Sequence, residues 1–102
     1  MSATVFDRQG DRLTVRPQGR LDTAASPAFE KEVCLHLDGV QELIIDFSDV
    51  NYIASGGLRA LLTTEQQMES RGGSMKVIHV SEIIYEIFQL VGFTEIVTVE
   101  KD

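Results

Sequence analysis

The chain has 102 residues, with 9 Lys and Arg against 16 Asp and Glu and a formal net charge of −7. That length fits one domain, which buries roughly two thirds of the surface its unfolded form exposes, and the acidic balance without any Lys/Arg cluster lacks the phosphate-neutralising footprint of a nucleic-acid binder. Its apolar stretches are only strand-length, and the N-terminal MSATVFDRQG has no charged segment followed by an apolar one, so the sequence predicts neither membrane insertion nor a signal peptide, and a cytoplasmic location.

Thr4 to Arg8 and Arg12 to Pro17 alternate in part and are joined by Gln9-Gly10-Asp11, the pattern of a β-hairpin. Arg20-Leu21-Asp22-Thr23 leads out of it to Ser26-Pro27, where Ser is expected to cap a helix and Pro at its first position has no N–H to leave unpaired. Phe29, Val33 and Leu37 follow at four-residue spacing, and Asp38-Gly39 is the expected end of this first helix. Leu43 to Phe47 is a β-branched and aromatic run, the composition of a central strand buried on both faces.

After a connection through Ser48 to Ala54, Leu58, Leu61, Leu62 and Met68 recur at helical spacing, so Ser55 is expected as the N-cap of a second helix. With Gly56 and Gly57 next, no side chain shields the first-turn amides, and the hydroxyl and free N–H groups are expected to face outward together. Arg71-Gly72-Gly73 ends that helix and Met75 to Val80 is another strand. Ser81-Glu82 starts a third helix carrying the stripe Ile84, Ile87, Phe88 and Val91; Gly92 ends it, and Ile96 to Val99 is the last strand. The order β-β-α-β-α-β-α-β predicts one α/β domain over residues 1–102, with a mixed sheet made of an N-terminal hairpin and parallel strands.

The elbow pattern G-x-S-x-G is not met at Ser55, because Ile53 stands where its first Gly belongs. His79, near a strand end on the same sheet edge, has no orienting carboxylate specified, and His36 lies on the first helix, so no catalytic residue is assigned and the chain is read as a non-enzyme. Two His and one Cys are scattered, and Glu42, Asp46 and Asp49 lack loop-ligand spacing, so no metal site is expected. Cys34 reads as a small packed side chain. S-G-G lacks the Lys and the length of a P-loop, and no cofactor is expected. What remains is Ser55 as a surface group. It serves as a helix cap, or it serves also as a phosphate acceptor, since a helix N-terminus tolerates an anion while the added charge would turn away a closely packed partner.

Gly19-Arg20-Leu21-Asp22-Thr23 before a Pro-started helix, then LIIDFSDVNYIASGGLRALL, then Val91-Gly92-Phe93 before a final strand resembles the STAS domain of bacterial anti-sigma factor antagonists along essentially the whole chain. The resemblance implies a partner-switching protein. Such a protein binds an anti-sigma factor of the ATP-binding serine-kinase type, frees the sigma factor and is inactivated when that kinase phosphorylates it; a serine phosphatase restores it. It also implies that Ala54, Ser55, Gly56, Gly57 and Arg59 lie on the partner-binding face, that Asp22 borders it as a contact, and that Ser55 is the acceptor. The family's commonest turn reads Asp-Ser-Ser-Gly-Leu or Asp-Ser-Thr-Gly-Leu, whereas this chain reads Ala54-Ser55-Gly56-Gly57-Leu58, without the acid and one hydroxyl. That departure leaves a second expectation beside the first: a constitutive STAS interaction subunit, for instance of a lipid-transport ABC complex or a signalling scaffold.

Overall fold

The computed structural model describes residues 4–102, so the first three positions of the expected 1–102 domain lie outside the described residues. Strands β1 (Val5–Gln9) and β2 (Arg12–Arg16) form the expected antiparallel hairpin. Gly10 takes φ +64 in its turn, a backbone conformation that costs glycine nothing. The remaining strands of the main sheet are β4 (Glu42–Asp46), β6 (Ser74–Val80) and β7 (Thr98–Lys101). They extend it in parallel register to the order β1-β2-β4-β6-β7. β4 is the middle strand and four of its five residues are buried, as a strand covered on both faces requires.

Helices α1 (Ser26–Leu35), α2 (Ser55–Ser70) and α3 (Glu82–Leu90) complete the α/β unit. Phe29, Val33 and Leu37 are buried as their spacing predicts, as are Leu61 and Met68 of α2 and Ile84 and Phe88 of α3. They share one hydrophobic cluster with Leu13, Val15, Leu43, Ile45, Phe47 and Val77 of the sheet. Ser81 caps α3 by accepting the Ile84 N–H, as expected. Among the described residues no helix is long and apolar enough to cross a membrane.

Four features depart from the sequence expectation. The stretch expected as a plain connection contains β5 (Val50–Ile53), which pairs in parallel with β3 (Gly19–Leu21) as a separate two-stranded sheet. Ser26 is not the cap of α1: Ala25 occupies that position, and the Ser26 hydroxyl donates to the Asp22 carbonyl. α1 also stops at Leu35, with Leu37 reaching the core from the following turn. Finally, the last strand begins at Thr98, because a short 3-10 turn, Phe93–Glu95, intervenes after α3. Gly92 at φ +76 turns the chain so that Phe93 is buried, 4.7 Å from the Phe88 ring, while Val91 and Ile96 are left exposed.

Candidate functional site

The exposed edge around Ser55 is assembled by three segments. The β3–β5 pair brings Leu21 beside Ile53, and the Ala54 N–H donates to the Leu21 carbonyl at 3.1 Å. α2 starts immediately after. Ser55 is its first residue rather than its N-cap: Ala54, in extended backbone, holds the cap position and supplies no side-chain acceptor. Side-chain capping needs an oxygen at the residue before the first helical one, and alanine has none, so the first turn of α2 carries no side-chain cap. The Ser55 hydroxyl is exposed and makes no hydrogen bond among the described residues.

The two glycines have a different origin from the one expected. A Cβ on Gly57 would lie 2.5 Å from the Leu21 carbonyl oxygen and 2.8 Å from Ile53 Cγ1. A Cβ on Gly56 would lie 3.1 Å from Thr23 Cα. Both positions are small because the loop from Leu21 to Thr23 lies against the first turn of α2, not to leave the amides bare. Gly57 is accordingly buried, so of the turn residues expected to meet a partner it is the one consumed by packing. Ala54 and Gly56 are half-buried, and Ser55 and Arg59 are exposed.

Asp22 lies on the same loop, and its carboxylate is already engaged. Oδ1 accepts the Ala25 N–H at 2.9 Å, and Oδ2 sits 3.5 Å from Arg20 Nε. The Ala25 hydrogen bond is the main reason its pKa is lowered, and with help from Arg20 it outweighs the opposing desolvation. The Arg20 guanidinium stacks 4.2 Å over the Tyr52 ring, so the β3–β5 sheet presents an Arg–Tyr pair, a type of group enriched at protein interfaces. Sequence reading missed this pair. Arg20 and Tyr52 are 32 positions apart, and their partnership depends on a strand pairing that neither short segment signals.

Next to Ser55 runs a groove of about 280 Å³ lined by Ser55, Leu58, Arg59, Leu62, Val91, Phe93 and Ile96. Leu58 and Leu62 were expected on α2, but the far wall was not. The spacing puts Val91 on the stripe of the third helix and Ile96 in the last strand, whereas in the structure both lie outside those elements and line this open groove.

His79 is not joined to Ser55. Its Nδ1 lies 3.0 Å from Asp46 Oδ1, while Arg16 Nη2 is 3.3 Å from Asp46 Oδ2 and the Ser48 N–H donates to Oδ1 at 2.9 Å. The carboxylate that the sequence did not specify for His79 is therefore Asp46. Burial pushes the Asp46 carboxyl up, but the Ser48 hydrogen bonds and His79 outweigh it and hold its pKa below the usual value. His79 reaches it from φ +56, at a register shift in the β6–β7 ladder between Val77 and Val80. The triangle ties β2, β4 and β6 together and leaves Ser55 without a base. Cys34 is half-buried, and desolvation, with Glu30, raises its pKa, which keeps it a thiol rather than a nucleophilic thiolate. Among the described residues no group of three His, Cys, Asp or Glu could hold a metal ion.

The chain is similar to known proteins in sequence and in fold. The STAS domain family matches residues 3–102. The anti-sigma-B factor antagonist of Bacillus subtilis is 25% identical over 100 residues, covering 97% of this chain and 92% of that one. The crystal structure of an anti-sigma factor antagonist from Mycobacterium paratuberculosis has a TM-score of 0.86 at 21% identity, covering 100% of this chain and 87% of that one. The Bacillus cell fate determinant SpoIIAA in its phosphorylated form has a TM-score of 0.74 at 18% identity, covering 95% and 90%. At those identities the two structures share the fold.

Proposed function

This chain belongs to the STAS domain family, and from that premise we propose that it is an anti-sigma factor antagonist that works by partner switching. It binds a cognate anti-sigma factor that is also a serine kinase, so that the sigma factor is released, and it loses that partner when the kinase transfers the γ-phosphoryl group of ATP to the Ser55 Oγ. A serine phosphatase returns it to the binding state, and both reactions take place in the cytoplasm. The chain is a substrate and a ligand, and catalyses neither step.

The observation that carries this reading is the state of Ser55: exposed, first in α2, and with its hydroxyl in no hydrogen bond among the described residues. A kinase reaches such an oxygen without unfolding anything. The helix N-terminus accepts the resulting phosphate through its unpaired N–H groups and its dipole. A partner packed on the same edge, however, meets about 1.5 to 2 added negative charges that it must desolvate. The Bacillus antagonists of the same fold lend support, one by sequence similarity and one by having been seen in a phosphorylated form.

The test uses wild type, Ser55→Asp and Ser55→Ala as baits in lysate of the source cell, followed by intact-mass measurement of each after incubation with its captured fraction and ATP. The expected result is an ATP-binding kinase retained by wild type and Ser55→Ala, lost by Ser55→Asp, and adding one phosphate to wild type only. Equal capture by all three with no added mass would make the chain a constitutive interaction subunit instead.

A further inference from the structure

We propose that the groove beside Ser55 seats an apolar segment of the protein partner that carries a carboxylate, and that Arg59 is the residue through which phosphorylation is read. This rests on the partner-switch reading above and extends it from one residue to a surface.

The far wall of the groove is apolar. Val91 and Ile96 are 57% and 56% exposed, and Leu90, next in the chain, is 85% exposed. Three large aliphatic side chains within seven positions stay in water because the left-handed turn at Gly92 delivers Phe93 to the core in their place. A cluster of that kind beside a recessed groove marks a contact surface.

The charged part is Arg59. It is the one charged residue lining the groove, it is exposed, and among the described residues no ion pair holds its guanidinium. In a chain of net charge −7, this edge therefore presents an uncompensated cation against apolar walls. The complementary occupant is a segment that fills the groove with aliphatic side chains and sets an Asp or Glu on the guanidinium.

Ser55 and Arg59 are four residues apart on one helix, the spacing at which side chains meet. A phosphate on Ser55 would form the stronger, bidentate type of contact with the same guanidinium, and it competes from within the chain, at high effective concentration, against a carboxylate arriving from outside. Phosphorylation then acts twice: it adds negative charge, and it withdraws the cation the partner uses.

The test takes the purified anti-sigma factor captured by wild type and measures its affinity for wild type, Arg59→Gln, Ile96→Ser and, as a control on an exposed leucine outside the groove, Leu35→Ser, after thermal melts have shown the variants folded. Arg59→Gln and Ile96→Ser are expected to weaken binding by about tenfold each, as central interface residues do, and Leu35→Ser by less than about twofold. In parallel, phosphoserine is installed at position 55 during translation and its phosphate is titrated by phosphorus-31 NMR. The second ionisation is expected about half a pH unit lower with Arg59 than with Gln. A captured anti-sigma factor whose affinity ignores both groove substitutions overturns the groove and leaves the partner-switch reading standing. Absence of any anti-sigma factor from the capture overturns that reading and the groove with it. Self-association that Ile96→Ser abolishes makes the occupant a second copy and overturns the proposal, and a phosphate ionisation indifferent to Arg59→Gln overturns the reading of phosphorylation through Arg59.

Discussion

Two polar clusters stand at the carboxyl ends of strands that are consecutive in the chain but lie in different sheets, and the fold treats them in opposite ways. At the end of β4 the Asp46 carboxylate is 5% exposed, and both of its oxygens are engaged, by Arg16, His79 and the Ser48 N–H. Two residues past Ile53, at the end of β5, α2 begins with Ser55, and the side chains of Ser55 and Arg59 are exposed and make no hydrogen bond or ion pair among the described residues. The carboxylate at the centre of the first cluster is buried and therefore had to be satisfied internally. The second is left open, and open groups flanked by apolar walls can be completed from outside. A titratable cluster at a strand end is thus not by itself a functional site; what separates the two is whether their partners are already present.

The contrast can be broken most severely from the packing that holds the second cluster in place. Gly57→Ala puts a Cβ 2.5 Å from the Leu21 carbonyl, a clash with backbone that no rotamer relieves, and is expected to destabilise the fold by about 3 kcal/mol in urea unfolding. Next comes the satisfied cluster. Asp46→Asn leaves Arg16 and His79 without their anion, and since both reach solvent the expected loss is about 2 kcal/mol. The same carboxyl sets the response to acid. Its folded pKa is lowered, so its contribution is complete above the unfolded value of about 3.9 and is lost as pH falls through the folded one. Acid unfolding below pH of about 4 should therefore be markedly shallower in Asp46→Asn than in wild type.

Smaller effects sharpen the other side. Ala54→Asp restores a capping oxygen at the residue before Ser55 and is expected to stabilise the protein by about 1 kcal/mol, visible as a higher thermal midpoint. Ser55→Ala, which removes a hydroxyl with no hydrogen-bond partner among the described residues, should change stability by less than about 0.5 kcal/mol while abolishing phosphate uptake. A larger loss there would mean that Ser55 is structural after all and that the two clusters are alike.

Much of this was legible in the sequence because it was written locally. The central strand from Leu43, the helix through Leu61 and Met68, the Ser81 cap and the hairpin turn at Gly10 each depend on residues within a few positions of one another, and each stands where its pattern put it. The exposed Ser55 at a helix start belongs to the same class, since the strand-to-helix change and the small residues beside it are local signals. The helix starts one position earlier than a Ser55 cap would place it, with Ala54 at the cap and no side-chain oxygen there.

Tertiary structure alone decided the rest. The β3–β5 sheet consists of a three-residue and a four-residue strand, too short for period-two alternation to register. The reason for Gly56 and Gly57 lies in a loop more than thirty residues upstream. His79 meets Asp46 across two strands. Val91 falls on the apolar stripe of the third helix and Ile96 opens the expected last strand, and both carry the same apolar signal as the residues that are buried. Hydrophobicity says that a side chain gains by leaving water, but not which of several neighbours the closed core has room for. Phe93 took that place, and the residues it displaced form the groove beside Ser55.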